Sequence, residues 1–258
     1  LILLGPAIPV LLKTLGDGGW RQCWMLLGAV TLVLALGSLL LLRNRPAELR
    51  LNPMGISGDP PQVAAQKSVA SWRTVYRSLL VWHVGIVYIA FGFSYIIYMI
   101  FFVKHLVAEG GYSSLAAGRL FMVVGWCSLA CGLLWGSVSD YIGRKWTLAI
   151  VYLIQSIAYI LFALWPTPTG FLASAVLFGL TAWSIPAIMA ATCGDILGPR
   201  LAPAGLGFVT LFFGIGQAAG PSIAGAMADA MGSFSPAFLL AAGVAIAGAV
   251  GSACLKSG

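Results

Sequence analysis

Residues 113–164 read SSLAAGRLFMVVGWCSLACGLLWGSVSDYIGRKWTLAIVYLIQSIAYILFAL, two apolar runs joined by the charged segment GSVSDYIGRKW at 136–146. A helix that crosses a bilayer needs about 20 predominantly apolar residues. Each run has that length, and apart from Arg119 the charges are confined to the join. The same plan, apolar helix then short polar turn, extends in both directions. Spans are predicted over 21–42, 75–103, 113–138, 146–164, 170–193, 204–227 and 234–255, and residues 1–12 read as the second half of a further span. Of 258 residues, 60% are hydrophobic and 8% charged, with a mean hydropathy of +0.97. Soluble domains carry roughly 25% charged residues, so a water-soluble globule is excluded.

The net charge of +7 comes from basic residues set singly between apolar runs. Such scatter makes no stripe along which a phosphate backbone could lie, and nucleic-acid binding is excluded. Five cysteines, Cys23, Cys127, Cys131, Cys193 and Cys254, lack CxxC spacing and lie in apolar surroundings. They read as packing residues, and no metal or cofactor is expected. Residues 43–74 hold Pro46, Pro53, Pro60 and Pro61 and form a linker. The chain therefore divides into the end of one helical block (1–43), a linker (44–74) and a six-helix bundle (75–258). If successive helices alternate in direction, one set of loops holds ten Lys and Arg, among them Arg43, Arg144, Lys145 and Arg200. The other set holds Lys13, Arg21, Lys104 and Arg119. Positive residues are retained on the cytoplasmic side during insertion, which places the linker and the C-terminus inside.

An internal echo supports two blocks of one design. Gly5-Pro6-Ala7-Ile8 returns as Gly220-Pro221-Ser222-Ile223, about 215 residues on, and Trp20, Trp24 and Leu26 are echoed by Phe234, Phe238 and Leu240. Parallel repeats around a central cavity are a design of secondary transporters. The repeat predicts an intact protein of about twelve helices and about 400 residues. In the 136–146 turn, Gly136 permits close helix contact and Asp140 sets a carboxylate at a helix end, where a neighbouring N-terminus could hold it. Gly143 makes the turn, and Arg144 and Lys145 anchor the next helix to an anionic leaflet. Taken alone, such a turn is also compatible with a plain positive-inside anchor.

Gly136, Asp140, Gly143, Arg144 and Lys145 in this order resemble the cytoplasmic loop signature of the major facilitator superfamily, although Tyr141 stands where the family often has a basic residue. Gly207, Gly216 and Gly220-Pro221 are similar to the glycine-proline signature of its drug/proton antiporters, here in superfamily helix eleven. Pro221 removes a backbone donor and bends the helix, while Gly216 and Gly220 admit a partner backbone. A packing kink without bearing on transport explains the same residues. The stretches GLTAWSIPAIMAATCGD (179–195) and GFVTLFFGIGQAAGPSIAG (207–225) are similar to the YbfB-like bacterial branch. The resemblance implies an all-α polytopic membrane bundle covering superfamily helices five (partial) to twelve, in a bacterial inner membrane and monomeric when full-length. It also implies a transporter rather than an enzyme.

In that pattern superfamily helices seven, eight, ten and eleven face the cavity. On the first, Tyr88, Phe91, Tyr95, Tyr98 and Phe102 recur every three or four residues and share one face, suited to orienting a ligand or to core packing. Gly179, Trp183 and Pro186 share a face of the tenth, where Pro186 frees the carbonyl of Ala182. Thr210, Gly214 and Gln217 do so on the eleventh. Arg119 either snorkels to the interface or holds an anion, and His83 is a lone titratable group near an interface. No Asp or Glu lies deep in any span, so a carboxylate proton carrier is expected outside this chain. The expected function is secondary transport of a small organic solute by alternating access, in the lipid bilayer, with protons as a candidate coupling ion. The alternative is a non-transporting sensor or channel-like protein with the same bundle. No nucleophile-base or metal-ligand set argues for an enzyme.

Overall fold

The computed structural model describes residues 2–16, 18–42 and 72–255. The predicted linker falls almost wholly outside them. Ten helices are formed among these residues: α1 (Leu4–Leu15), α2 (Gly19–Leu41), α3 (Arg73–Arg77), α4 (Leu79–Ala108), α5 (Ser114–Ser128), α6 (Cys131–Ile142), α7 (Arg144–Leu164), α8 (Pro168–Thr181), α9 (Ser184–Met231) and α10 (Ser235–Ala253). Five stretches are long and apolar enough to cross a membrane, or six if the bent pair α5 and α6 counts as one.

The chain falls into two compact units, Val10–Ala70 and a unit comprising Leu1–Pro9 with Ser71–Gly258. In the first, α2 is an apolar helix with only Gly19 and Cys23 buried. The second contains α3 to α10. Within it, Gly5 of α1 lies against Gly118 of α5, and a Cβ on Gly5 would stand 2.6 Å from the Gly118 carbonyl oxygen.

Most predicted spans become helices, and the differences have local causes. The span over 75–103 starts later, because Ser78 leaves the helical region and caps α4 by accepting from the Val81 amide. The span over 113–138 bends by 41° between α5 and α6. The span over 170–193 is broken: α8 ends at Thr181 and α9 begins at Ser184, which puts Pro186 in a first turn, where its missing donor costs nothing. Gly198, at φ 73° and ψ 168°, divides α9 into two limbs.

Interhelical contacts give the directions. Along α4, Gly110 meets Phe171, and Tyr98 bonds to Ser174, so α8 runs antiparallel to it. Beyond Gly198, Phe212 meets Gly85 and Gly220 meets Phe93, so the second limb of α9 runs parallel. Tyr152 and Phe162 of α7 pair with Val87 and His105, also parallel. α10 runs back, with Phe238 beside His105 and Gly251 beside His83. The Gly143 turn, Gly198 and the end of α10 therefore share one end of the bundle, and the Gly111 and Gly232 turns share the other.

Between α4, α7, α8 and α10 the core is aromatic, with Tyr98, Phe102, Tyr159, Phe162, Phe178 and Phe238 fully buried. Buried polar groups bond across helices: Tyr98 Oη with Ser174 Oγ at 2.7 Å, Tyr152 Oη to Val87 O at 2.7 Å, Gln155 Nε2 to Thr181 O at 3.1 Å and Ser156 Oγ to Ala242 O at 3.1 Å. Such bonds average about 0.6 kcal/mol in membrane proteins. They fix helix register more than they drive association, which falls to close packing at glycines.

Candidate functional site

Two features of the Ser71–Gly258 unit gather the charged and aromatic residues that the sequence singles out. The first is the turn at Gly143, whose φ of 90° ends α6 and lets α7 begin at Arg144. The Arg144 guanidinium reaches three oxygens: Nη1 donates to Asp140 Oδ1 at 2.6 Å and to Ser139 Oγ at 2.6 Å, and Nε donates to Asp195 Oδ2 at 2.9 Å. One side chain thus ties α6, α7 and the first limb of α9 together. Asp140 is held by this arginine one turn further on in the chain. Lys145 turns its Nζ over the Trp146 ring, 5.0 Å from the centroid, and Tyr141 is exposed. A Cβ at Gly136 would meet open space, so close helix contact is not what the described structure asks of that glycine. A cavity of about 770 Å³ opens beside this turn, lined by Leu80, Val84, Arg144, Trp146, Thr192 and Asp195 among others.

The second feature is an aromatic face between α4 and α9. Tyr88, Phe91 and Tyr95 succeed one another along α4, and Phe213 of α9 stacks on Tyr88 and Phe91 at centroid distances of 4.9 Å and 5.6 Å. Tyr95 meets Trp183, at the break between α8 and α9, at 5.6 Å. These rings can come together because Gly92 and Gly216 bring the two backbones into contact: a Cβ on Gly216 would press on the Ile89 carbonyl and stand 2.7 Å from the Phe93 nitrogen. Gly220 continues the same seam, with Phe93 O 2.8 Å from its would-be Cβ, and Pro221 follows it in the helix. The Tyr88 and Tyr95 hydroxyls form no hydrogen bond among the described residues, in contrast to Tyr98 and Tyr152 deeper in the core. Trp183 is exposed, while Gln217, one turn beyond Phe213, is half-buried with its amide unbonded among the described residues. The helix-seven stripe is buried along its whole length, Tyr88, Phe91 and Tyr95 against α9 and Tyr98 and Phe102 in the core between α7, α8 and α10.

Arg119 stands apart from both features. It is exposed on α5, which meets α4 through Phe121 and Phe102 at 5.2 Å, and it forms no ion pair or hydrogen bond among the described residues. His83 accepts or donates a bond with Gly251 O at 2.9 Å, tying α4 to α10. Sequence reasoning missed Asp195, Phe213, Gly92, His105 and Glu109. For Asp195 the signal was present, as an acid at the end of the same span-and-turn pattern that carries Arg144.

Long apolar helices joined by tight turns, with a charged clamp at one end, define a polytopic membrane helix bundle. The family model described as "Uncharacterised MFS-type transporter YbfB" matches residues 2–252, and the chain belongs to this family of the major facilitator superfamily. Monocarboxylate transporter 11 of Homo sapiens is 26% identical over 259 residues, covering 96% of this chain and 51% of that protein. The Mus musculus protein of the same name is also 26% identical, over 96% of this chain and 54% of its own length. The chain spans about half the length of these relatives. A crystal structure of a bacterial homologue of the human lysosomal transporter Spinster, inward-facing and unoccupied, matches with a TM-score of 0.56 and 18% identity, over 96% of this chain and 62% of that one. That likeness shows the fold.

Proposed function

We propose that this chain is the second bundle, preceded by the end of the first, of a secondary transporter that moves a small carboxylate-bearing solute by alternating access. The observation that carries the solute class is Arg119, an exposed cation within a span that no acid among the described residues neutralises. A bare cation in a bilayer is costly, and a passing carboxylate would neutralise it with paired hydrogen bonds. The relatives' name, monocarboxylate transporter, agrees with this choice. In this reading the solute meets Arg119 at one station of the pathway and Tyr88, Phe91, Tyr95, Trp183 and Gln217 at another, where the rings cover its apolar body and the hydroxyls and amide orient it. Arg144, with Asp140 and Asp195, latches the cytoplasmic side, and the Gly216, Gly220 and Pro221 seam sets the distance between α4 and α9. Linker and C-terminus lie in the cytoplasm of a bacterial cell, the protein works as a monomer, and protons are the coupling ion.

The test is counterflow with the full-length protein in proteoliposomes, using labelled lactate as probe. Internal unlabelled lactate should accelerate uptake of the label, and Arg119→Gln should abolish that acceleration. Lactate flux without trans-stimulation would favour a channel-like protein. Exchange of neutral or cationic solutes in place of lactate would overturn the carboxylate assignment.

A further inference from the structure

A short helix, α3 (Arg73–Arg77), precedes α4 and is set off from it by the extended backbone of Ser78. It is pinned to the bundle from within. Val75 is fully buried, and the Trp82 indole of α4 donates from Nε1 to the Tyr76 carbonyl at 2.9 Å. Tyr76 and Trp82 both meet the Phe208 ring of α9 edge-on, at centroid distances of 5.1 and 5.2 Å, so α3 is seated on two helices. With Val75 turned inward, Trp72, Arg73, Tyr76 and Arg77 are left exposed. Arg73 and Arg77 stand one turn apart, a spacing at which like charges on a helix repel. No carboxylate among the described residues neutralises either. The acids described at this end of the bundle are Asp140 and Asp195, and Arg144 holds both. Beyond α3, Leu79, Trp82 and Ile86 are exposed at spacings of three and four, an apolar stripe that runs from the arginines into the span.

We propose that α3 and the start of α4 form a binding site for an anionic phospholipid. Arg73 and Arg77 take the phosphate: their guanidinium forks donate to its oxygens in pairs, and one anion relieves the repulsion between two cations. Trp72, Tyr76 and Trp82 are amphipathic rings of the kind that sit at headgroup level, which places the arginines at the depth of the phosphates. An acyl chain then runs along Leu79, Trp82 and Ile86. In the topology proposed above, this end of the bundle meets the cytoplasmic leaflet, the anionic one. The bound lipid fixes the point where the linker joins α4 at the bilayer surface.

Binding at this site needs neither the solute assigned above nor transport, so the test uses full-length protein in detergent. The protein is titrated with dioleoyl phosphatidylglycerol, or with dioleoyl phosphatidylcholine as the zwitterionic comparison, and bound lipids are counted by native mass spectrometry. One phosphatidylglycerol should bind more tightly than any phosphatidylcholine. A basic residue near an anionic lipid surface contributes about fivefold in affinity, so Arg73→Gln or Arg77→Gln should weaken that lipid about fivefold and the double variant about 25-fold. Phosphatidylcholine binding should not change in any of them. Lys104→Gln, which removes an exposed cation at the opposite end of α4, should leave both lipids unaffected. A double variant that binds phosphatidylglycerol like the wild type, as it would were this face covered by another part of the protein, overturns the proposal. Equal affinity for the two lipids, or an equal loss in Lys104→Gln, also overturns it. A melting curve confirms that each variant is folded.

Discussion

Gly216→Ala adds a single methyl group at the point where α9 touches α4. The new Cβ would press on the Ile89 carbonyl, stand 2.7 Å from the Phe93 nitrogen and 3.1 Å from the Gly92 carbonyl carbon. All three are backbone atoms of a helix, so no side chain can swing aside. Ordinary contact needs roughly 3.4 to 4 Å, and the helices must part by on the order of 1 Å. Overpacking of this kind costs about 1–3 kcal/mol, at roughly 2–4 °C of melting temperature per kcal/mol for a unit of this size. Gly214→Ala is the control, because a Cβ two residues earlier on the same helix meets nothing within 4 Å. There, alanine's better helix propensity should leave stability unchanged or raised by up to about 1 kcal/mol. The assay is thermal unfolding of the full-length protein in detergent, together with counterflow. Separation at Gly216 also pulls Phe213 off Tyr88, so exchange should fall with stability. Equal melting temperatures for the two variants would refute the claim that the Gly92 and Gly216 contact sets the spacing of the aromatic face.

Other outcomes follow from the charged groups. Arg144→Gln strands the buried Ser139 hydroxyl, at about 1–3 kcal/mol, whereas its pairs with the more exposed Asp140 and Asp195 add up to about 1 kcal/mol each. Asp195→Asn should therefore destabilise less than Arg144→Gln in the same melting assay, and Arg144→Lys should restore only part, since an ammonium cannot reach three oxygens in a fork. Arg119→Gln should leave stability within about 0.5 kcal/mol of wild type while abolishing lactate exchange; exchange at the wild-type rate would remove Arg119 from the pathway. Partial burial pushes the Glu109 carboxyl up, but the Phe234 amide, the Ser233 hydroxyl and His105 outweigh it and hold it below the usual range. Its contribution to stability is accordingly present above the ordinary carboxylate pKa and lost as pH falls through the lowered one. An acid series of melting curves should show that loss in the wild type and not in Glu109→Gln.

Helix positions were legible because a span announces itself by length and apolarity alone, and the Gly143 turn was legible because a glycine followed by two cations between apolar runs leaves few readings. The break at residues 182–183 was not. Pro186 announced a weakened helix, but whether proline kinks a helix or starts a new one depends on what holds the ends, here the Gln155 amide on the Thr181 carbonyl and the Trp135 indole on the Leu180 carbonyl. Both partners come from distant segments. Periodicity placed Tyr88 and Tyr98 on one face of α4, yet α4 is surrounded by α7, α8, α9 and α10, so the whole stripe is buried and its two halves meet different neighbours.

The pairs that sequence reading missed share a physical reason. Asp195 lies 51 residues beyond Arg144, and Ser233 and Phe234 lie 124 and 125 beyond Glu109. Their partners are defined only once the helices have directions. In each case a charged side chain leaves the end of one helix and satisfies groups on another, where bilayer gives way to water and charge is least costly. Arg144 does this at the Gly143 end and Glu109 at the other. The two ends of the bundle are therefore clamped by chemistry of opposite sign, a cation reaching across at one end and a carboxylate at the other.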